Sequence, residues 1–110
     1  MSDKYKYQIY IIALDDSILD RRDFRDRNPN HQHGKPCLYV GQTTKDPKVR
    51  FKQHMAGGKF SSRKVHKYGK YLRWRLFKKI PTVDTREEAE QLEQEVAENL
   101  QSKGYAVWWN

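Results

Sequence analysis

Cysteine is almost absent from this sequence, and so are long apolar segments. The single cysteine, Cys37, has no partner for an internal disulfide, which predicts a reducing compartment, the cytoplasm. The longest apolar segment, residues 9–14, is far shorter than the ~20 residues that a membrane-spanning helix needs. The first residues carry charges but no apolar segment, so we expect no secretory signal. These absences exclude the membrane-spanning and disulfide-stapled classes of protein.

Positive charge and aromatic residues are plentiful. The chain has 22 Lys and Arg against 14 Asp and Glu, a formal charge of +8. Because 13% of the residues are aromatic, the chain is unlike highly charged disordered segments, which are poor in aromatic residues. Its 110 residues suffice for one core, so we expect a single domain over residues 1–110. The charge favours a polyanionic partner, nucleic acid before anionic lipid.

Alternation of side chains predicts three β-strands, over residues 4–14, 37–41 and 71–77. The first two strands are expected to pair antiparallel, because no amphipathic helix lies between them. Residues 15–36 are polar and rich in turn residues, which predicts a long mobile loop. The aromatic tail, residues 105–110, is expected to pack on the core.

Helix caps predict three helices after the second strand. The last helix has the clearest signal, a capping box that is followed by a regular apolar stripe. With the strands, the helices give an α+β fold class: a small three-stranded antiparallel sheet flanked by helices. The first of these helices is expected to be capped by Asp46 and to end at Gly57. The second is expected to be capped by Ser61 or Ser62 and to end at Gly69, and the last to run from the cap Thr85 to about Ser102.

One glutamate stands inside the apolar stripe of the last helix. Of the six glutamates between residues 87 and 98, Glu93 alone lies close to the centre of the stripe formed by Ala89, Leu92, Val96 and Leu100. A buried carboxylate is costly unless it meets a cation or a metal ion. Glu93 is therefore either a metal ligand or an acid at the edge of the stripe that reaches solvent or pairs with an arginine.

The predicted first helix carries Arg50 and His54 on one face, four residues apart. Phe51 and Met55 are expected to form its buried face, which puts the Arg–His pair beside the core. A guanidinium suits a phosphate group, and an imidazole exchanges a proton near neutral pH. The alternative is an ordinary solvated surface pair.

Two tyrosines, Tyr10 and Tyr39, occupy the middle of the first two predicted strands. A tyrosine in this position commonly packs in the core and finds one partner for its hydroxyl group. Taken alone, each tyrosine is therefore better explained by structure than by chemistry.

In order and approximate spacing, these residues resemble the GIY-YIG nuclease superfamily. The resemblance covers nearly the whole chain and implies the α/β sandwich of that family, in agreement with the predicted elements. It also implies hydrolysis of phosphodiester bonds, mostly of DNA, with a divalent cation. The matching positions are Gln8-Ile9-Tyr10, Tyr39-Val40-Gly41, Arg50 with His54, Glu93 and Asn110.

The resemblance implies a role for each matching residue. Glu93 would bind Mg²⁺ or Mn²⁺, since one carboxylate with waters and phosphate oxygens suits these ions better than zinc. Tyr10 and Tyr39 would flank the scissile phosphate, and one of them would take the proton of the attacking water. Arg50 would bind the phosphate, and His54 would orient a partner or relay a proton. Two further expected substrate contacts are Lys45 and Asn110.

The sequence departs from the family pattern in three places. Gln8 replaces a glycine, Val40 replaces an isoleucine, and residues 15–36 form a longer connection than is usual. That connection, with a short helical turn at about residues 18–24, is either a substrate-contacting loop or a tolerated surface insertion. We expect no separate targeting domain, so that specificity comes from the domain itself, from a homodimer or from a separate targeting protein.

A zinc site is one alternative. His31, His33 and Cys37 are three potential ligands in the long connection, but a fourth ligand is missing and their spacing matches no strong pattern.

A non-catalytic nucleic-acid-binding module of a ribonucleoprotein or DNA-processing complex is the other alternative. Residues 59–71 interleave cations with aromatic side chains, as binding surfaces for nucleic acid do. If this segment serves only the fold, Phe60, Val65 and Tyr68 are core residues.

Our hypothesis is a divalent-metal-dependent endonuclease acting on DNA, with no membrane partner. The cations expected on its substrate from this segment are Arg63, Lys64 and Lys67.

Overall fold

A four-stranded sheet with helices around it makes up the fold of residues 6–110, the part of the chain that the computed structural model describes. Residues 4 and 5 of the predicted first strand lie outside the described residues. The elements are β1 (Gln8–Leu14), a 3₁₀ helix (Asp16–Asp20), α1 (Arg22–Arg27), β2 (Cys37–Thr43), α2 (Pro47–Ala56), α3 (Arg63–Tyr68), β3 (Gly69–Leu72), α4 (Trp74–Phe77), α5 (Arg86–Ser102) and β4 (Ala106–Trp108).

The sheet has the strand order β3-β1-β2-β4. β1 pairs antiparallel with both β2 and β3, whereas β4 pairs parallel to β2, with Tyr39 opposite Trp108. The predicted α+β class is confirmed, and the predicted antiparallel pairing of the first two strands is confirmed. The prediction of a three-stranded, wholly antiparallel sheet is wrong, because the tail also forms a strand. That strand has only three residues, too few to reveal an alternating pattern.

The predicted third strand is only partly correct. β3 ends at Leu72, and the residues expected to continue it form the helical turn α4. In that turn Trp74 and Phe77 lie three positions apart on one side, with ring centroids 4.9 Å apart. A short apolar segment fits a strand and a helix about equally well, which explains the error.

The predicted helix ends are confirmed. The Asp46 side chain accepts the Lys48 N–H at the start of α2, and Gly57 ends that helix with a φ of 77°. Thr85 and Glu88 form both halves of the capping box at the start of α5. Ser62 caps α3. No helix within residues 6–110 is long and apolar enough to cross a membrane.

Residues 15–36, called the insert below, do not form the mobile loop that the sequence predicts. They fold into the 3₁₀ helix, α1 and a turn, and both Ile18 and Phe24 are fully buried. The ring of Phe24 stacks on Trp108 in β4, with centroids 6.4 Å apart. The polar composition of the insert did not predict this packing, because two buried apolar side chains are enough to hold so short a segment against the core.

Asn28 joins the insert to the edge of the sheet. Its side-chain Nδ2 donates to the Val107 carbonyl at 3.1 Å, and its Oδ1 accepts the Val107 N–H at 2.7 Å. Nδ2 also donates to the Phe24 carbonyl, and Gln101 donates to Oδ1. The side-chain amide of Asn28 therefore forms the hydrogen bonds that a neighbouring strand would form at the outer edge of β4. Both the backbone N–H and the carbonyl of Val107 have a partner.

We expect Asn28→Ala to lower the free energy of unfolding by about 2–4 kcal/mol, because it leaves both backbone groups of Val107 buried without a partner. Urea denaturation followed by circular dichroism measures the change. The exposed Asn30 provides the control, since Asn30→Ala should change the free energy by less than about 0.5 kcal/mol. Equal stability of the two variants would contradict this account of the sheet edge.

Candidate active site

Two buried tyrosines face each other across the central strands. The β1–β2 register sets Tyr10 opposite Gly41 and Ile12 opposite Tyr39, so that Tyr10 and Tyr39 lie on the same face of the sheet. Their ring centroids are 6.2 Å apart. The sequence predicted both strands, and the pairing register is what brings the two hydroxyl groups into one site.

Gly41 makes room for Tyr10. A Cβ atom on Gly41 would stand 2.6 Å from both Cζ and the hydroxyl oxygen of Tyr10, closer than any real contact. The Tyr10 ring therefore lies directly over the backbone of β2. The position of the Tyr10 ring therefore requires a glycine after Tyr39 and Val40.

His54 is fully buried and hydrogen-bonded through both ring nitrogens. The backbone N–H of Ser62 donates to Nδ1 at 2.8 Å, and Nε2 lies 2.8 Å from the Tyr10 hydroxyl. Because Nδ1 accepts a hydrogen bond, the proton of the neutral ring is on Nε2, which donates to the Tyr10 oxygen. The Tyr10 proton is then directed elsewhere. Of the two roles left open for His54, this geometry favours orienting Tyr10 over removing its proton.

The imidazole and the two phenols are held in their neutral forms. Burial, with a smaller contribution from Arg50, lowers the pKa of His54 to about 4. Burial raises the pKa of both Tyr10 and Tyr39, and the nearby Arg50 opposes that rise. At neutral pH the site therefore contains a neutral ring and two protonated hydroxyl groups.

Arg50 supplies positive charge at the same place. Its guanidinium donates to the Phe60 carbonyl at 2.8 Å and to Gln53 Oε1 at 3.2 Å. Within residues 6–110 it forms no salt bridge. This half-buried guanidinium is bound only to neutral acceptors, so its positive charge is available to bind an anion.

Glu93 is buried, with 5% of its surface exposed, and lines a cleft together with Tyr10, Tyr39, Arg50 and Asn110. We call this the site cleft. Burial first, and Glu90 second, raise the pKa of Glu93 to about 7, against a hydrogen bond from the Asn110 backbone. It forms no salt bridge with any described residue, so the arginine-paired alternative is wrong.

The C-terminal tail completes the site cleft. Asn110 Nδ2 donates to the Tyr39 hydroxyl at 3.3 Å. The tail before it is held by Arg27 from the insert, whose guanidinium donates to the Trp109 carbonyl and lies 3.8 Å from the Trp108 ring centroid. The insert therefore helps to fix the position of Asn110.

The predicted cations divide into two groups. Lys45 lines a cleft of about 700 Å³, called the lysine cleft, which also contains Lys59 and Arg86. Arg63 and Lys64 line a third cleft beside Trp108, called the tryptophan cleft. The Lys64 ammonium, however, is bound to Asp23 at 2.9 Å. Arg50 lines all three clefts.

Lys67 is not brought to this region. Its side chain is exposed, its ammonium lies 5.3 Å from the Tyr68 ring centroid, and it lines none of the clefts described above. Sequence reasoning missed Arg86, which lies at the rim of the site cleft. A usable signal was present, because Arg86, Glu90 and Glu93 follow at intervals of four and three residues on one face of a helix.

Two expectations about burial are corrected by the structure. Phe51 is partly buried and packs against the core as expected, but Met55 is 37% exposed, and His54 is the fully buried side chain of α2. Hydrogen bonds to both ring nitrogens of His54 offset the free-energy cost of burying its imidazole. Among the predicted core residues of the 59–71 segment, Val65 and Tyr68 are buried, but Phe60 is 77% exposed.

The alternative zinc site has no support. His31 Nε2 is hydrogen-bonded to the Lys35 carbonyl at 2.8 Å. Cys37 is fully buried in β2, and burial raises the pKa of its thiol to about 12. Among residues 6–110 no group of three or more His, Cys, Asp or Glu side chains could hold a metal ion.

Comparison with known proteins gives the family of the chain. A family model described as the GIY-YIG catalytic domain matches residues 6–106 of the chain. The match includes both tyrosines, the Arg50–His54 helix and Glu93, and it ends four residues before Asn110. No curated protein and no solved structure matches the chain.

We expect Gly41→Ala to displace the Tyr10 ring and to lower the free energy of unfolding by about 1–3 kcal/mol. The ¹⁵N chemical shift of His54 Nε2 should change as its hydrogen bond lengthens, while α5 should remain folded. Gly58→Ala is the matched control, since an added Cβ there meets nothing within 4 Å. An unchanged Nε2 shift in Gly41→Ala would show that the ring does not depend on this glycine.

A second prediction concerns the pH dependence of stability in EDTA. The pKa of Glu93 is raised from 4.5 to about 7 in the folded protein, so its carboxyl ionises more readily in the unfolded chain. Stability is therefore lost as the pH rises from about 4.5 through 7. Glu93→Gln has no such loss. At pH 8 its free energy of unfolding should exceed that of the native protein by about 1–2 kcal/mol, and at pH 4.5 the two should differ little.

Denaturant titrations at both pH values measure this difference. Glu95→Gln, an exposed carboxylate on the same helix, is the control and should show no comparable gain. A gain in Glu93→Gln that is equal at the two pH values would mean that the burial of charge is not its cause.

Proposed function

The chain belongs to the GIY-YIG catalytic domain family, whose members are nucleases, and we propose that it is a divalent-metal-dependent endonuclease that hydrolyses phosphodiester bonds of DNA. One observation carries the proposal most strongly. The buried Glu93 carboxylate lines the same cleft as two tyrosine hydroxyl groups and a guanidinium without a salt bridge. A structural acid would be expected to pair with that arginine, and Glu93 does not.

The donor set fits a divalent cation of the Mg²⁺ or Mn²⁺ kind. Such ions are commonly held by one or two carboxylates, with water and substrate oxygens completing the coordination. Glu93 is the carboxylate that would hold the ion, and its burial, with the nearby charge of Glu90, raises its pKa. When bound, the ion supplies charge stabilisation at the phosphate and its leaving oxygen.

The side chains on the sheet would position the phosphate and the attacking water. Arg50 binds a non-bridging oxygen and opposes the negative charge that grows in the transition state. The Tyr10 hydroxyl, held by the Nε2–H of His54, turns its remaining lone pair and its proton toward the cleft. Water attacks phosphorus, the bond to the leaving oxygen breaks, and a tyrosine at the cleft that has first lost its own proton takes the proton of the water.

A tyrosine acts as a base only as its phenolate, so it must lose its own proton first, and added positive charge makes that loss easier. Arg50 already lowers the pKa of both tyrosines, against the effect of burial. We therefore expect cleavage to become faster as the pH rises above neutrality, where Glu93 is ionised and proton transfer to a tyrosine is easier.

DNA is the preferred substrate of this proposal, with a positively charged surface around the site cleft formed by Lys45, Arg63 and Arg86. Lys67 is retained only as a peripheral contact. A homodimer or a separate targeting protein would supply sequence choice, and the single free cysteine supports residence in a reducing compartment, the cytoplasm. A non-catalytic binding module is the alternative function, since the same cations would serve it.

The deciding experiment measures nicking of supercoiled plasmid in Mg²⁺, in Mn²⁺ and in EDTA. The native protein should cut in either metal and not in EDTA. Glu93→Gln should fall to background, and Arg50→Ala should lose about 10²–10³-fold in rate. The exposed Glu95→Gln variant is the matched control and should cut at the native rate.

Thermal unfolding with and without Mn²⁺ gives a second readout that does not depend on cleavage. The ion should raise the melting temperature of the native protein and of Glu95→Gln, and it should leave that of Glu93→Gln unchanged. Plasmid binding that is equal in all variants, with no cleavage in either metal, would favour the binding module over the enzyme.

A further inference from the structure

Phe60 has a side chain that the fold does not use. It is 77% exposed, more than any other large apolar residue among residues 6–110. It lies in the connection between α2 and α3, where the nearest ring contact is the Lys59 ammonium, 5.7 Å from the ring centroid. Single exposed apolar side chains are common on protein surfaces, so it is the surroundings of Phe60, and not its exposure alone, that indicate a ligand.

The backbone around Phe60 is nevertheless fixed. The Phe60 carbonyl accepts the Arg50 guanidinium at 2.8 Å, and the Ser62 N–H donates to His54 at 2.8 Å. Between them, the Ser61 hydroxyl donates to the Gly58 carbonyl at 2.8 Å. Two residues of the proposed catalytic site therefore hold this loop through its main chain, which keeps the ring of Phe60 beside them.

The ring stands between two positively charged clefts. Phe60 lines the lysine cleft on one side, with Lys45 and Arg86, and the tryptophan cleft on the other side, with Arg63. No Asp or Glu among the described residues lines either of these clefts. A nucleic acid strand that places a phosphate on Arg50 has cations on both sides and an aromatic face between them.

We infer that Phe60 stacks on an unpaired base next to the scissile phosphate, and hence that the substrate is DNA with a single-stranded segment at the cleavage site, such as a fork or a flap. The inference rests on the proposed function. A base that is already unpaired can stack on a ring directly, whereas a paired base must first lose its pairing and stacking in the duplex. Gln42 lines the same lysine cleft as Phe60, and its side-chain amide has both a donor and an acceptor for the edge of such a base.

Binding by a catalytically inactive protein tests the inference without requiring turnover. The Glu93→Gln variant is titrated, by fluorescence anisotropy, with a forked duplex and with a fully paired duplex of the same sequence. The fork should bind more tightly. Adding Phe60→Ala or Phe60→Leu should weaken fork binding about 5-fold to 100-fold and leave duplex binding nearly unchanged. Adding Phe60→Trp should preserve the preference, because an indole also stacks.

Tyr71→Ala in the same background is the matched control. Tyr71 is another exposed aromatic residue, 53% exposed on β3, and it lines neither cleft, so both affinities should stay as they are. Equal affinity for fork and duplex, or no effect of Phe60→Leu on fork binding, would overturn the inference. A strand preference that is lost with Tyr71 instead of Phe60 would also overturn it.

Cleavage by proteins with Glu93 intact separates the inference from the proposed function. The native protein should cut the fork faster than the duplex, and Phe60→Leu should remove that difference while still cutting both. Faster cutting of the paired duplex would contradict the substrate inference and leave the endonuclease standing. Absence of all cleavage, together with fork binding that depends on Phe60, would instead reject the enzyme and keep the recognition of unpaired bases.

Discussion

The hydrogen bond from the Ser62 N–H to Nδ1 of His54 is the contact on which most of the site depends. It fixes the protonated nitrogen of the imidazole as Nε2, and it thereby makes His54 a donor to Tyr10. It also ties the start of α3 to α2, because Ser62 caps the following helix with its side chain. One backbone amide thus determines the proton position in the ring, the direction of the Tyr10 hydroxyl and the path of the loop that carries Phe60.

The insert acts on the other side of the same cleft. Asn28 supplies the outer edge of β4 with the hydrogen bonds of a further strand, and Arg27 holds the tail that follows. That tail ends in Asn110, which bonds Tyr39 with its side chain and Glu93 with its backbone. These contacts give the insert a structural role, whether or not it also contacts substrate. It is part of the support for one wall of the site cleft.

Local signals in the sequence were enough to predict the capped helices and the two central strands. Thr85 with Glu88, and Asp46 with Pro47, satisfy backbone groups within one turn, so no distant partner was needed. β4 and the insert depend on contacts between residues about 80 positions apart, such as Asn28 with Val107, and no local pattern reports those. Among the site residues, the helical position of Glu93 predicted its burial. The burial of His54 could not be predicted, because its second partner is the backbone of Ser62.

Under the proposed function, the charge state of the cleft would make activity depend on the divalent cation. At its rim Arg86 and Glu90 pair at 3.3 Å, which leaves Arg50 and Glu93 as the unpaired ionisable charges of the lining. Burial raises the pKa of Glu93 and of both tyrosines, so the metal-free protein holds these acids toward their protonated forms. A divalent cation favours their ionised forms instead. Metal binding and proton release are then coupled, and the base for hydrolysis would become available only in the loaded cleft.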